Sequence, residues 1–198
     1  IEDEIDFTRE EIKDMIQHTI DYNKEQFIKD YKSLVEQFKS KFDLTEIDCE
    51  KEKIEWPKKS GVYVIWKNDG NSLDNLIYVG MTGKFKRVSK EEVIFNSGTF
   101  DKRKGRWTPY RFCESVKDGE KNRFEFRYGP EESTVKEQSK RKYEVEAYKV
   151  SISYSELKIH CFHISDNHRD YTPELLEKKI LTMYLKSSGN LPPANNEL

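Results

Sequence analysis

A chain of 198 residues is long enough to bury a core and to form one domain with an appendage. Charged residues make up 36% and mean hydropathy is −0.92. No apolar run approaches the ~20 residues of a membrane helix and no secretory leader pattern is visible, so the chain reads as intracellular and cytoplasmic, with no membrane partner. Cys49, Cys113 and Cys161 stand far apart without a CxxC pair, which argues against a disulfide framework or a zinc site.

The net charge of −2 is unevenly spread. Residues 1–59 hold 11 Lys+Arg against 17 Asp+Glu, residues 60–129 hold 14 against 9, and residues 130–198 hold 10 against 11. Positive charge gathers in the middle third. That distribution suits a segment that meets phosphates while the rest is solvated, although a basic face that is merely solvated reads the same way.

In chain order, residues 8–42 predict one long amphipathic helix. Thr8 and Glu11 fit a capping box, and Ile12, Ile16, Ile20, Phe27, Tyr31, Leu34, Phe38 and Phe42 recur at helical spacing. Such a helix would be about 50 Å long, more than a small domain's diameter. It therefore packs along its own domain, bends back, or pairs with a second copy in a homodimer. Residues 43–59 read as a charged connector ending in Trp56-Pro57, giving an N-terminal extension (1–59) and a second unit (60–198). Gly61 to Trp66 (GVYVIW) and Leu76 to Gly80 (LIYVG), joined by a polar loop with Asp69-Gly70, predict a β-hairpin. Alternation puts Val62, Val64 and Trp66 on one face and Tyr63 and Ile65 on the other.

Residues 84–97 suggest a short helix, and Arg103 to Val116 another despite Gly105 and Pro109. Arg123 to Tyr128 alternates as a strand, residues 129–142 are a polar loop, and 143–154 and 157–164 have strand-like composition. His160 and His163, three apart on a strand, point to opposite faces and are not expected to share a metal. Thr172 as N-cap and Pro173 at the first helical position open a final helix, PELLEKKILTMYLK.

The paired runs Gly61-Val62-Tyr63 and Tyr78-Val79-Gly80 resemble the motifs of the GIY-YIG nuclease family. The rest of that pattern is an Arg on a following helix, a Glu on a later helix and an Asn soon after. Arg106, Glu177 and Asn195 (in Leu191 to Leu198, LPPANNEL) occur in that order. The resemblance covers roughly residues 60–198 and implies an α+β fold: a small, mainly antiparallel sheet flanked by helices, here with a long helical segment before it. It implies a DNA endonuclease that hydrolyses phosphodiester bonds with Mg2+ or Mn2+ held by Glu177, with Glu174 the rival ligand. Tyr63 would be the general base, Tyr78 would position the nucleophile or phosphate, and Asn195 would bond to the hairpin. Arg106 follows Gly98-Thr99-Phe100, as in longer members of the family; Arg103 and the earlier Arg87 are the alternatives. Met81 stands where the family often has Lys.

Lys102, Arg103, Lys104, Trp107, Tyr110 and Arg111 interleave cations with aromatics, a mix suited to phosphate contact and base stacking. A helix with core aromatics and solvated charges reads the same. The role implied is restriction or defence, with DNA repair or mobile-element processing, or a catalytically silent DNA-binding or interaction module, as alternatives.

Overall fold

The hairpin supplies one inner and one outer strand of the main sheet. In the computed structural model, which describes residues 8–51, 53–87, 93–96, 98–101, 109–110, 113, 154–165, 171–193 and 195, β-branched and aromatic residues build an antiparallel sheet. Its strands are β1 (Asp43–Asp48), β2 (Gly61–Lys67), β3 (Leu76–Thr82) and β6 (Leu157–His163), in the order β1-β6-β2-β3. Two further strands, β4 (Lys84–Arg87) and β5 (Val93–Asn96), pair separately. Helices α1 (Arg9–Lys41) and α2 (Pro173–Ser188) complete an α+β architecture.

Alternation sorts the sheet into two faces. Val62, Val64, Trp66 and Phe162 share a core with Phe27, Tyr31, Leu34 and Phe38 of α1 and Leu176, Ile180 and Tyr184 of α2. Tyr63, Ile65, Leu157, Ile159 and Cys161 face the other way, toward Phe100 and Cys113. A β-bulge interrupts the pattern. Ile65 pairs with Tyr78 and Trp66 with Leu76, so Ile77 is the extra residue. The bulge sends Leu76 to the helical face and both Ile77 and Tyr78 to the other.

Two sequence expectations are corrected. Residues 43–48, read as connector, form β1, because Asp43 to Asp48 lie in register against His163 to Lys158. The signal was masked by four polar residues on an edge strand that buries only Ile47. Residues 84–97, read as a short helix, instead contain the β4–β5 ladder, Lys84 to Arg87 opposite Asn96 to Val93. The strand proposed at 123–128, the loop at 129–142, most of the helix proposed at 103–116 and all but the last residue of the strand proposed at 143–154 lie outside the described residues; that last residue, Tyr154, opens a 3-10 turn.

Helix α1 begins with the expected capping box: the Glu11 N–H donates to Thr8 Oγ1 at 3.2 Å and the Thr8 N–H donates to Glu11 Oε2 at 2.7 Å. Its apolar stripe divides. The half from Phe27 to Phe38 is buried on its own sheet, whereas Ile12, Met15, Ile16 and Ile20 stay exposed, Ile16 at 56%. No helix among the described residues is long and apolar enough to cross a membrane. The division predicts unequal costs. Phe38→Ala should lower unfolding free energy by about 3–5 kcal/mol through a core cavity. Ile16→Ala should change it by no more than about 0.5 kcal/mol. Urea denaturation of both variants checks this.

A buried polar chain links α1 to the sheet. Trp66 Nε1 lies 3.3 Å from Tyr31 Oη, and Tyr31 Oη lies 2.6 Å from His160 Nδ1. An indole N–H only donates, so the Tyr31 oxygen accepts from it and gives its own proton to Nδ1. The network thus assigns the neutral His160 tautomer protonated on Nε2, which lies 3.7 Å from Glu46 Oε1. Burial pushes the His160 pKa down to about 4, with Glu46 opposing. Between the ordinary histidine value and that value the unfolded chain binds the extra proton and the folded chain does not. Stability therefore falls as pH drops through this window, by on the order of 3 kcal/mol from His160. Burial lowers His163 as well, which adds in the same direction. Urea midpoints from pH 7 to pH 4.5 should fall steeply for the wild type and less steeply for His160→Gln.

Candidate functional site

Both glycines of the paired runs are required by close approach. Gly61 has φ +148°, and a Cβ there would sit 1.8 Å from the Phe162 carbonyl oxygen on β6. Gly80 lies opposite Tyr63 in the ladder. A Cβ on Gly80 would meet Tyr78 Cε1 at 2.6 Å and Tyr63 Cζ and Oη at 2.7 Å. The two phenol rings thus lean over the bare Gly80 backbone, their centroids 5.7 Å apart and their planes tilted by 44°. The bulge before Tyr78 leaves Tyr78 in register with Ile65, on the face of Tyr63.

The tyrosines differ in access. Tyr63 is 1% exposed, in the core around Ile65 and Cys161. Tyr78 is half-buried. Phe100 stands edge-on to Tyr63 at 6.4 Å. Its segment is tied down by Ser60 Oγ donating to the Gly98 carbonyl at 2.5 Å and the Phe100 N–H donating to the Lys59 carbonyl at 2.9 Å. Gly98-Thr99-Phe100, singled out in the sequence for its spacing, therefore packs on the tyrosine face.

Asn195 reaches the hairpin. The Val79 N–H donates to Asn195 Oδ1 at 2.9 Å, and Asn195 Nδ2 donates to the Val79 carbonyl at 2.6 Å. The side-chain amide reads both polar groups of the residue between Tyr78 and Gly80. The Asn195 N–H, in turn, donates to the Pro192 carbonyl at 2.9 Å, which shapes the Pro192 to Asn195 turn.

Helix α2 starts as expected, with Thr172 Oγ1 accepting from the Leu175 N–H at 3.1 Å and Pro173 in the first turn. Pro173, Leu176, Ile180, Leu181 and Tyr184 are buried. Helical periodicity places Glu177 within that arc and Glu174 at its margin, and both are partly buried. The helix packs on β2 and β3 from the helical face of the sheet, opposite the tyrosines.

Among the described residues no group of three or more His, Cys, Asp or Glu side chains gathers as a metal cage. One partly buried carboxylate is a hard oxygen donor, which fits a Mg2+ or Mn2+ ion that keeps several waters. Arg87 lies in β4 and not on the helix that the family pattern calls for. Lys102, Arg103, Lys104, Arg106, Trp107 and Arg111 lie outside the described residues. The Tyr110 ring packs against Trp56 at 5.8 Å, nearly perpendicular.

Sequence reasoning passed over a cluster on the same face. His163 Nδ1 lies 2.8 Å from Asp43 Oδ2, and His163 Nε2 lies 2.9 Å from Thr45 Oγ1. The His163 ring also lies 5.8 Å from the Phe100 ring, tilted by 39°. Period two from Cys161 gave the face of His163, but its partners sit on a strand that the sequence hid.

No known protein family, curated protein or solved structure matches the chain. Functional reading therefore rests on the motifs and their geometry.

The crowding over Gly80 is testable. Gly80→Ala should lower stability by about 1–3 kcal/mol by forcing two rings aside. The same change in a Tyr78→Ala background should cost less, and a double-mutant cycle by urea denaturation measures the difference.

Proposed function

We propose that the chain is a divalent-metal-dependent DNA endonuclease of the GIY-YIG type, acting in restriction or defence. The observation that carries this reading is the pair of phenols leaning over Gly80, with Asn195 fastened to the residue between Tyr78 and Gly80. Glu177 would hold the Mg2+ or Mn2+ ion. A bound ion supplies Lewis-acid charge at the phosphate and a more acidic water. Tyr78 is the phenol open to solvent, so it contacts the phosphate or the attacking water, and the buried Tyr63 holds Tyr78 in place. Tyr63, the expected base, is 1% exposed, and this reading therefore gives the contact with water to Tyr78. Asn195 fixes the strand under Tyr78 and so fixes the phenol's direction. Arg106 would neutralise charge on the phosphate in the transition state.

A second reading, a catalytically silent DNA-binding or interaction module, is favoured by the burial of Tyr63. Incubation of plasmid DNA with Mg2+ or Mn2+, and with chelator, separates the two. The nuclease reading expects metal-dependent nicks or breaks that chelator abolishes. Binding without cleavage under any metal supports the silent module.

Within the nuclease reading, Glu177→Gln should reduce cleavage by at least about 100-fold while DNA binding by gel shift persists. Arg106→Ala should lose most turnover and Arg87→Ala should weaken binding at most. Wild-type cleavage by Glu177→Gln, with Glu174→Gln inactive, would move the metal to Glu174.

A further inference from the structure

Cys49 and Cys113 are 64 residues apart in the chain, yet their Sγ atoms lie 3.7 Å apart. Cys49 follows the last residue of β1, and its N–H donates to the Leu157 carbonyl at 3.0 Å. Cys113 belongs to the helical residues beyond Phe100. The same two stretches meet again where Trp56 packs on Tyr110. Both contacts lie on the face that holds Tyr63 and Ile65. Cys49 with Trp56 on one side and Tyr110 with Cys113 on the other therefore form a seam on the tyrosine face, with two thiols close together in it.

We infer that Cys49 and Cys113 are a redox-modification site whose disulfide fastens this seam shut. A disulfide needs sulfurs about 2 Å apart. Closing the remaining gap takes a shift of under about 2 Å, within reach of side-chain rotation and small backbone adjustment. The co-reactant is hydrogen peroxide. Cys49, 3% exposed as a residue against 0% for Cys113, lies nearer the surface and is assigned the first attack. Cys49 attacks a peroxide oxygen, the O–O bond breaks, and a sulfenic acid and one water form. The Cys113 sulfur then attacks the Cys49 sulfur, the S–O bond breaks, the S–S bond forms and a second water leaves. The thiols lose two electrons and the peroxide gains them. Cys161 lies in the same cluster, its thiol pKa raised by burial, and serves as the internal control.

The inference stands whether or not the chain cuts DNA. The test treats the folded wild-type protein with hydrogen peroxide or diamide, blocks remaining thiols after unfolding, and maps peptides by mass spectrometry. The expected result is loss of two hydrogens, a Cys49–Cys113 linked peptide and an alkylated Cys161. The oxidised protein should melt several degrees higher, because the bridge closes a long loop, and reductant should reverse the shift. Cys49→Ser and Cys113→Ala should each abolish the internal bridge. Full alkylation of all three cysteines after oxidation, or a bridge to Cys161, overturns the site. A Cys49–Cys113 bridge that leaves the melting temperature unchanged or lowers it overturns the fastening.

Discussion

Strand β6 has partners on both edges and cores on both faces, and the placement of the other elements follows from that. Its backbone pairs with β1 on one side and β2 on the other. Its side chains alternate between Phe162, against α1, and Leu157, Ile159 and Cys161, against the tyrosine face. A slip of one residue would exchange these two sets and bury Lys158. Register is therefore fixed from the centre of the sheet outward, and the phenols inherit their positions from it.

The polar chain from Trp66 through Tyr31 to His160 works on the same strand. Each of its members is hydrogen-bonded, so the buried dipoles cost little in place and much if one is deleted. It also orients α1, since Tyr31 alone among the buried residues of that helix carries a hydroxyl. The rings of Phe27, Tyr31, Trp66 and Phe162 then pack around it at centroid distances of 5.1–6.0 Å.

The sequence disclosed those elements whose periodicity reaches one buried face. The hairpin, the capping box at Thr8, the final helix at Thr172 and the two faces of β2 were all legible for that reason. β1 was not, because an edge strand with one buried residue carries almost no alternation. The bulge at Ile77 was not, because LIYVG alternates equally well without it. In the candidate site, Gly61, Gly80 and Asn195 were legible as motif positions, but their physical reasons were not. Those reasons depend on a carbonyl of β6, on two rings converging over one backbone and on an amide matching one residue of β3. The Asp43–His163–Thr45 cluster was hidden together with β1.

Asn195 has a consequence beyond the site. β3 is the outer strand of the sheet, and Val79 presents there the paired N–H and carbonyl that an incoming strand would use. The Asn195 amide already makes both bonds, as a residue of a neighbouring strand would. An extended peptide, or the same edge of a second molecule, would have to displace it before pairing could spread along β3. One side chain therefore works against edge-to-edge association along β3.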